Sequence, residues 1–143
     1  MITKDKSSTL ISIFKRKGGE GKHTKIFNGE EHGKYDSLLS LPLLDHEKRL
    51  IICYLDSSNW VILTNKRLFY KKNNSVKAID NENVKKVNLA LEVEFRDGVK
   101  NKKEFTRLFL QDREGQNHLL VLEKGPPYEG FYQVLHFLST STR

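Results

Sequence analysis

The chain has 143 residues, 37% hydrophobic and 30% charged, with 25 lysines and arginines against 18 aspartates and glutamates for a formal net charge of +7. That length supports one real core, burying about two-thirds of the unfolded surface, and the positive balance favours acidic partners: nucleic acid, anionic lipid or an acidic protein surface. A single cysteine, Cys53, excludes an intramolecular disulfide, and the absence of a secretory signal pattern or of about 18 consecutive apolar residues makes a cytoplasmic location the default expectation.

Residues 1–36 carry eight basic and five acidic side chains, so the positive excess is denser there than in residues 37–143, which carry seventeen and thirteen. Leu10, Ile11, Ile13 and Phe14 cluster on one side of a helix started by Ser7 or Ser8, although Ile11 and Ile13 also alternate as a strand would. From Lys15 onward glycine and charge dominate, and Gly18, Gly19, Gly21, Gly29 and Gly33 predict loop or disorder. Residues 1–36 therefore read as a basic, glycine-rich and partly flexible extension, and residues 37–143 as the folded domain.

Leu38, Leu39, Leu41, Leu43 and Leu44 surround Pro42, which forbids an unbroken helix and predicts a helical turn leading into a strand. Arg49 to Leu55 is a fully apolar strand, and Asp56-Ser57-Ser58-Asn59 is a polar turn. Trp60 to Thr64 and Arg67 to Lys71 form a hairpin across Asn65-Lys66, and Val76 to Ile79 follows as a fourth strand after Asn73-Asn74-Ser75. The fifth strand is expected over Val87, Leu89, Leu91, Val93 and Phe95, which alternate strictly with polar or small residues and should bury one face. A basic loop from Arg96 to Lys103 leads to a sixth strand, Glu104 to Gln111, and after the loop DREGQN to a seventh, His118 to Glu123. Gly125 breaks the sheet, and Pro126 and Pro127 suit the first turn of a helix with Phe131, Val134, Leu135 and Leu138 at i, i+3, i+4 and i+7. Consecutive strands without intervening helices predict a mainly β fold, a seven-stranded antiparallel barrel capped by one C-terminal helix.

The segment VILTNKRLFYKK, with Leu63, Thr64, Arg67, Leu68 and Phe69 in the pattern Leu-Thr-x-x-Arg-Leu-aromatic, resembles a hairpin of bacterial pleckstrin-homology-like and GRAM-type domains, over roughly residues 37–140. The resemblance implies a binding module for lipids, peptides or proteins. Lipid-binding members of that family carry bases in the first hairpin loop; here residues 56–59 offer one acid and no base, which argues against phosphoinositide recognition.

Outside that resemblance, KGGEGKHT at residues 17–24 is similar to the variant phosphate loop of ParA- and MinD-type ATPases, with Gly18, Gly19, Gly21 and Lys22 in place but His23 where a hydroxyl belongs. A polar, glycine-rich stretch follows where an apolar helix should begin, so a solvated linker is the better reading. Five histidines show no metal-ligand spacing and nothing resembles a nucleophile elbow, so no cofactor, metal or catalysis is expected. Two basic sets remain as candidate partner or anion contacts: Lys15, Arg16, Lys17 and Lys22 near the N-terminus, and Arg96, Lys100, Lys102 and Lys103 on the loop before the sixth strand. The functional expectation is a non-enzymatic module that engages a protein or peptide through sheet-edge and loop surfaces. Peripheral attachment to anionic membrane lipid through the basic N-terminal segment is the alternative, with nucleic acid a minor option.

Overall fold

The computed structural model describes residues 5–27 and 41–141. The loop expected over residues 28–36, and residues 37–40 of the expected helical turn, lie outside the described residues.

Helix α1 (Ser7–Lys17) is followed by strand β1 (Thr24–Ile26), then β2 (Arg49–Asp56), β3 (Asn59–Thr64), β4 (Arg67–Lys72) and β5 (Ser75–Asp80). A 3-10 turn (Asn81–Asn83) leads to β6 (Val84–Leu89), helix α2 (Leu91–Arg96), a second 3-10 turn (Lys102–Glu104), β7 (Arg107–Asp112), β8 (Asn117–Val121) and helix α3 (Pro126–Ser141). The strands form two antiparallel sheets in sequence order, β1 to β5 and β6 to β8, and these are not hydrogen-bonded into one closed ring. The fold is thus mainly β with a C-terminal helix, and each of the seven expected strands has a counterpart. Tight turns set the register: Asn73 and Asn74, at φ 52° and 67°, make the two-residue connection between Lys72 and Ser75 that the right-handed strand twist favours.

One core lies between the sheets and the helices. Ile51, Val61 and Leu68 from the larger sheet meet Leu108, Leu110 and Leu120 from the smaller one, and the α3 stripe of Phe131, Val134, Leu135 and Leu138 closes the space. Each of those four side chains is fully buried, which contributes about 1.5–3 kcal/mol apiece. Ile52, Trp60, Ile62 and Phe69 form a second buried cluster, with Phe27, Leu41 and Tyr54 packed against it. Alternation along β2 to β4 explains the division, because successive side chains point to opposite faces of a sheet.

Two expectations need correction. The N-terminal segment is not simply an appended tail: Leu10 and Phe14 are 0% exposed in the main core, and β1 pairs with β2 through Thr24 opposite Cys53. The helical period therefore wins over the strand period, because it places Leu10 and Phe14 one turn apart on the face that meets α3.

The alternating run through Phe95 is also not one strand. It stops at Leu89, and residues 91–96 turn into α2, burying Ala90, Val93 and Glu94 at helical spacing while Leu91 is 43% and Phe95 52% exposed. Leu, Glu and Arg are good helix formers, and Gly98, at φ 84°, donates its N–H to the Phe95 carbonyl and ends the helix. The Asp97-Gly98 pair near the start of the expected basic loop is a helix terminus here. Accordingly Leu135→Asp is expected to unfold the chain at ambient temperature, whereas Leu91→Asp should stay within about 0.5 kcal/mol of wild type in urea denaturation. Equal losses in the two variants would mean that residue 91 faces the core after all.

Candidate functional site

The last turn of α1 carries Lys15, Arg16 and Lys17, and its position is fixed by a close helix–helix approach. The Phe14 ring packs edge-on against Phe131 at 5.8 Å and 76°, next to Gly130. A Cβ on Gly130 would fall within 2.6 Å of the Phe14 ring. The basic end of α1 therefore lies against the first turns of α3.

The second basic element comes from the loop after α2. Asn101 accepts the Lys103 N–H at 3.0 Å and starts the 3-10 turn, while Lys124 holds Glu104 at 2.9 Å. Between these elements lies an open groove of about 700 Å³. It brings Arg16 and Lys17 together with Lys102 and Lys103, over Gly18, Gly125, Pro126 and Tyr128. The two basic sets, some eighty residues apart in sequence, thus meet at one site. Lys15, Lys22, Arg96 and Lys100 do not line it; Lys22 sits in the loop beyond α1, and the Arg96 Nε lies 4.0 Å from Asp97. One acid faces the cations: Glu129 lies 3.8 Å from the Lys102 Nζ.

The loop that resembles a phosphate loop holds an anion, and that anion is the protein's own. Glu123 accepts hydrogen bonds from the Lys22 N–H at 2.7 Å, the His23 N–H at 2.9 Å and the Thr24 hydroxyl at 2.9 Å. Burial works to raise the Glu123 pKa, but these hydrogen bonds outweigh it and hold the carboxyl below its ordinary range. Gly21 is required, since a Cβ there would sit 2.6 Å from both the Glu123 Oε1 and the Pro127 Cγ. Residues 17–24 are consequently a clasp and not a solvated linker. Nothing local to Glu123 announces this role, because its partners lie a hundred residues away.

The loop carrying Lys102 and Lys103 is anchored from below by a buried carboxylate. Glu94 accepts the Thr106 and Arg107 N–H groups at 2.7 and 3.0 Å and the Arg107 guanidinium through Nε at 3.1 Å and Nη2 at 2.8 Å. The other arm of Arg107 pairs with Asp97, whose carboxyl this bond holds below the usual range. Tyr128 donates its hydroxyl to the Arg107 carbonyl at 2.7 Å and so joins α3 to the same network.

A matching pair explains the Leu-Thr-x-x-Arg hairpin. Thr64 donates to Glu47 at 2.6 Å while its oxygen accepts the Lys66 and Arg67 N–H groups at 3.0 and 2.8 Å, closing the β3–β4 turn. Arg67 grips Glu47 through Nε at 3.0 Å and Nη2 at 2.7 Å and stacks over the Phe69 ring at 4.5 Å. Burial raises the Glu47 pKa, but the bonds from Arg67, the Leu44 N–H and Thr64 prevail and bring it from 4.5 down to about 2. A depressed folded-state pKa contributes stability that is complete above the unfolded value and lost as pH falls through the folded one. Stability should therefore decline from about pH 4.5 towards about pH 2, and Glu47→Gln should flatten that part of the curve when urea midpoints are measured against pH. Superimposable slopes for the two proteins would contradict the pairing.

Tyr70 on β4, His118 on β8 and Asp112 on β7 link the two sheets, with Tyr70 Oη to His118 Nδ1 at 2.8 Å and His118 Nε2 to Asp112 at 3.0 Å. In the tautomer with Nε2 as the donor to Asp112, Nδ1 accepts the Tyr70 hydroxyl. Burial raises the Tyr70 pKa, and the bond from His118 leads the causes that lower Asp112. All three side chains are buried, so this chain of contacts is a brace between sheets and not an accessible reactive centre. In the loop at residues 56–59, Asp56 accepts the Ser58 N–H at 2.8 Å and the Asn59 amide at 3.2 Å, which ties up its acid locally.

Among the described residues no three His, Cys, Asp or Glu side chains converge as metal ligands, and no helix is long and apolar enough to cross a membrane. Comparison with family models, curated proteins and solved structures returns no match to the chain.

Proposed function

We propose that the chain is a non-enzymatic binding module of pleckstrin-homology-like architecture whose groove between α1, α3 and the residue 99–104 loop receives an acidic protein or peptide segment. The convergence of Arg16 and Lys17 with Lys102 and Lys103 in one groove is the observation that carries this reading. Four cations against Glu129 make a positive cleft, and clefts of one sign concentrate ligands of the other and accelerate their encounter.

Support for the architecture comes from two antiparallel sheets in sequence order followed by a closing helix, with the Thr64, Arg67 and Glu47 geometry behind the hairpin signature. β1 is an addition to the expected seven strands. A protein partner is favoured over membrane attachment through the N-terminal segment, because Leu10 and Phe14 are committed to the core and Ile11 and Ile13 pack against it. Little apolar surface of α1 is left to enter a lipid interface.

The test is fluorescence anisotropy with a labelled glutamate-rich peptide at low salt, comparing wild type with the Lys17→Glu/Lys103→Glu variant. Binding that weakens with salt and drops at least about tenfold in the variant is expected. Sedimentation of the wild type with phosphatidylserine vesicles, without peptide binding, would instead favour the membrane alternative.

A further inference from the structure

The chemistry lining the groove narrows its ligand class. We infer that the groove takes an extended acidic peptide anchored by one apolar side chain, and not a phosphate group; this rests on the reading of the groove as the binding site. A phosphate is held best where several main-chain N–H groups point at one spot, and this groove withholds them. The first turn of α3 begins with Pro126 and Pro127, which have no N–H, and the Glu129 N–H is bonded to the Gly125 carbonyl at 3.2 Å. The Tyr128 hydroxyl is already donated to Arg107. The amides of Lys22 and His23, the nearest loop suited to an oxyanion, are filled by Glu123. The side-chain donors left for a ligand are Arg16, Lys17, Lys102 and Lys103, which come from two separate elements, and the Asn101 amide.

What lies among those cations is apolar or bare. Pro126 is exposed, and Gly125, where a Cβ would meet nothing within 4 Å, leaves open space beside it. The aliphatic stems of the four cations add further apolar surface. Glu129, near Lys102, would repel a compact dianion placed deep in the groove, whereas carboxylates spread along a peptide can reach the two basic elements and leave Glu129 to Lys102. A volume of about 700 Å³ falls in the range of pockets for drug-sized ligands, about 300–1,000 Å³, and leaves room for one large side chain. Charge thus attracts the segment, and an apolar side chain against Pro126 sets its register.

The experiment uses the full chain and two labelled peptides, one with acidic residues on both sides of a single tryptophan and one with glycine in place of that tryptophan. The tryptophan peptide is expected to bind at least about tenfold more tightly, and inorganic phosphate should compete no better than sodium chloride of equal ionic strength. In Pro126→Ser, a substitution that the first helical turn accommodates, the advantage of tryptophan should shrink towards unity while the melting temperature holds. Equal affinity of the two peptides for the wild type would overturn the apolar anchor and leave the acidic-segment reading intact. Failure of both peptides to bind would overturn both readings, and displacement of bound peptide by phosphate, or tighter binding to phosphatidylserine vesicles, would overturn the inference in favour of a phosphate ligand.

Discussion

Replacing Arg107 with methionine is expected to destabilise the protein by about 3–5 kcal/mol, because it leaves a charged carboxylate buried without its counter-ion. The Glu94 side chain is 0% exposed, and two of its four hydrogen bonds come from the Arg107 guanidinium. The amides of Thr106 and Arg107 would remain, too few to compensate a fully desolvated charge. The Glu94 carboxylate would then tend to drag α2 towards solvent. Combining Arg107→Met with Glu94→Gln removes the stranded charge and should recover part of the loss, a non-additivity that urea denaturation of the two single variants and the double variant will read out. Additive effects, or a single-variant loss below about 1 kcal/mol, would contradict the buried pair. The consequence reaches the groove, since the lost guanidinium also holds Asp97 at the start of the loop that carries Lys102 and Lys103, although the residue 107 carbonyl that accepts the Tyr128 hydroxyl remains.

Gly18→Ala is expected to cost about 3 kcal/mol, at the upper end of overpacking penalties. A Cβ at this position would be driven into the Pro126 carbonyl and would lie 2.6 Å from the Gly130 Cα, with backbone on both sides of the contact. Backbone in two packed helices cannot step aside as the tip of a side chain can. For a chain of this size the loss corresponds to a fall in melting temperature of about 10 °C. Shifting α1 away from α3 would also move Arg16 and Lys17 relative to Lys102 and Lys103, so affinity for an acidic peptide should fall in the surviving folded fraction. A thermal melt indistinguishable from wild type would mean that α1 does not pack as described.

The fold was legible where local signals and tertiary packing agree. The strands of the larger sheet alternate β-branched and aromatic residues between turn-forming Asp, Asn and Ser, and the stripe of α3 lies between Pro126 and the C-terminus at the spacing a buried helix needs. The Thr64 to Arg67 signature was visible, yet the reason for it was not, because Glu47 approaches from twenty residues upstream. Two elements were misread for physical reasons. In the run from Val87 to Phe95 the same letters satisfy periods of two and of 3.6 over a short span; what decides between them is the burial of Glu94, and that is favourable only because Arg107 arrives from another strand. Likewise β1 spans three residues in a glycine-rich context and is held by pairing with β2 and by Glu123, neither of which a local reading can see.

The candidate site was half legible. Both basic sets were evident as charge runs, but their union depends on Gly18 and Gly130 letting two helices approach and on Glu94 and Arg107 holding a loop, all long-range facts. The phosphate-loop resemblance was set aside in the sequence because a polar, glycine-rich stretch follows it. Its glycines still answer to an anion, since Gly21 makes room for the carboxylate of Glu123.

The central claim, that Arg16, Lys17, Lys102 and Lys103 act as one docking site, is tested most directly by mapping amide chemical shifts as an acidic peptide is titrated into the isotopically labelled full chain. The account predicts that the perturbed resonances include Lys17, Gly18, Lys102, Lys103 and Gly125 together, saturating along one binding curve. Perturbations confined to residues 56–59 or to the β5 edge, or separate curves for the α1 end and the residue 99–104 loop, would contradict it.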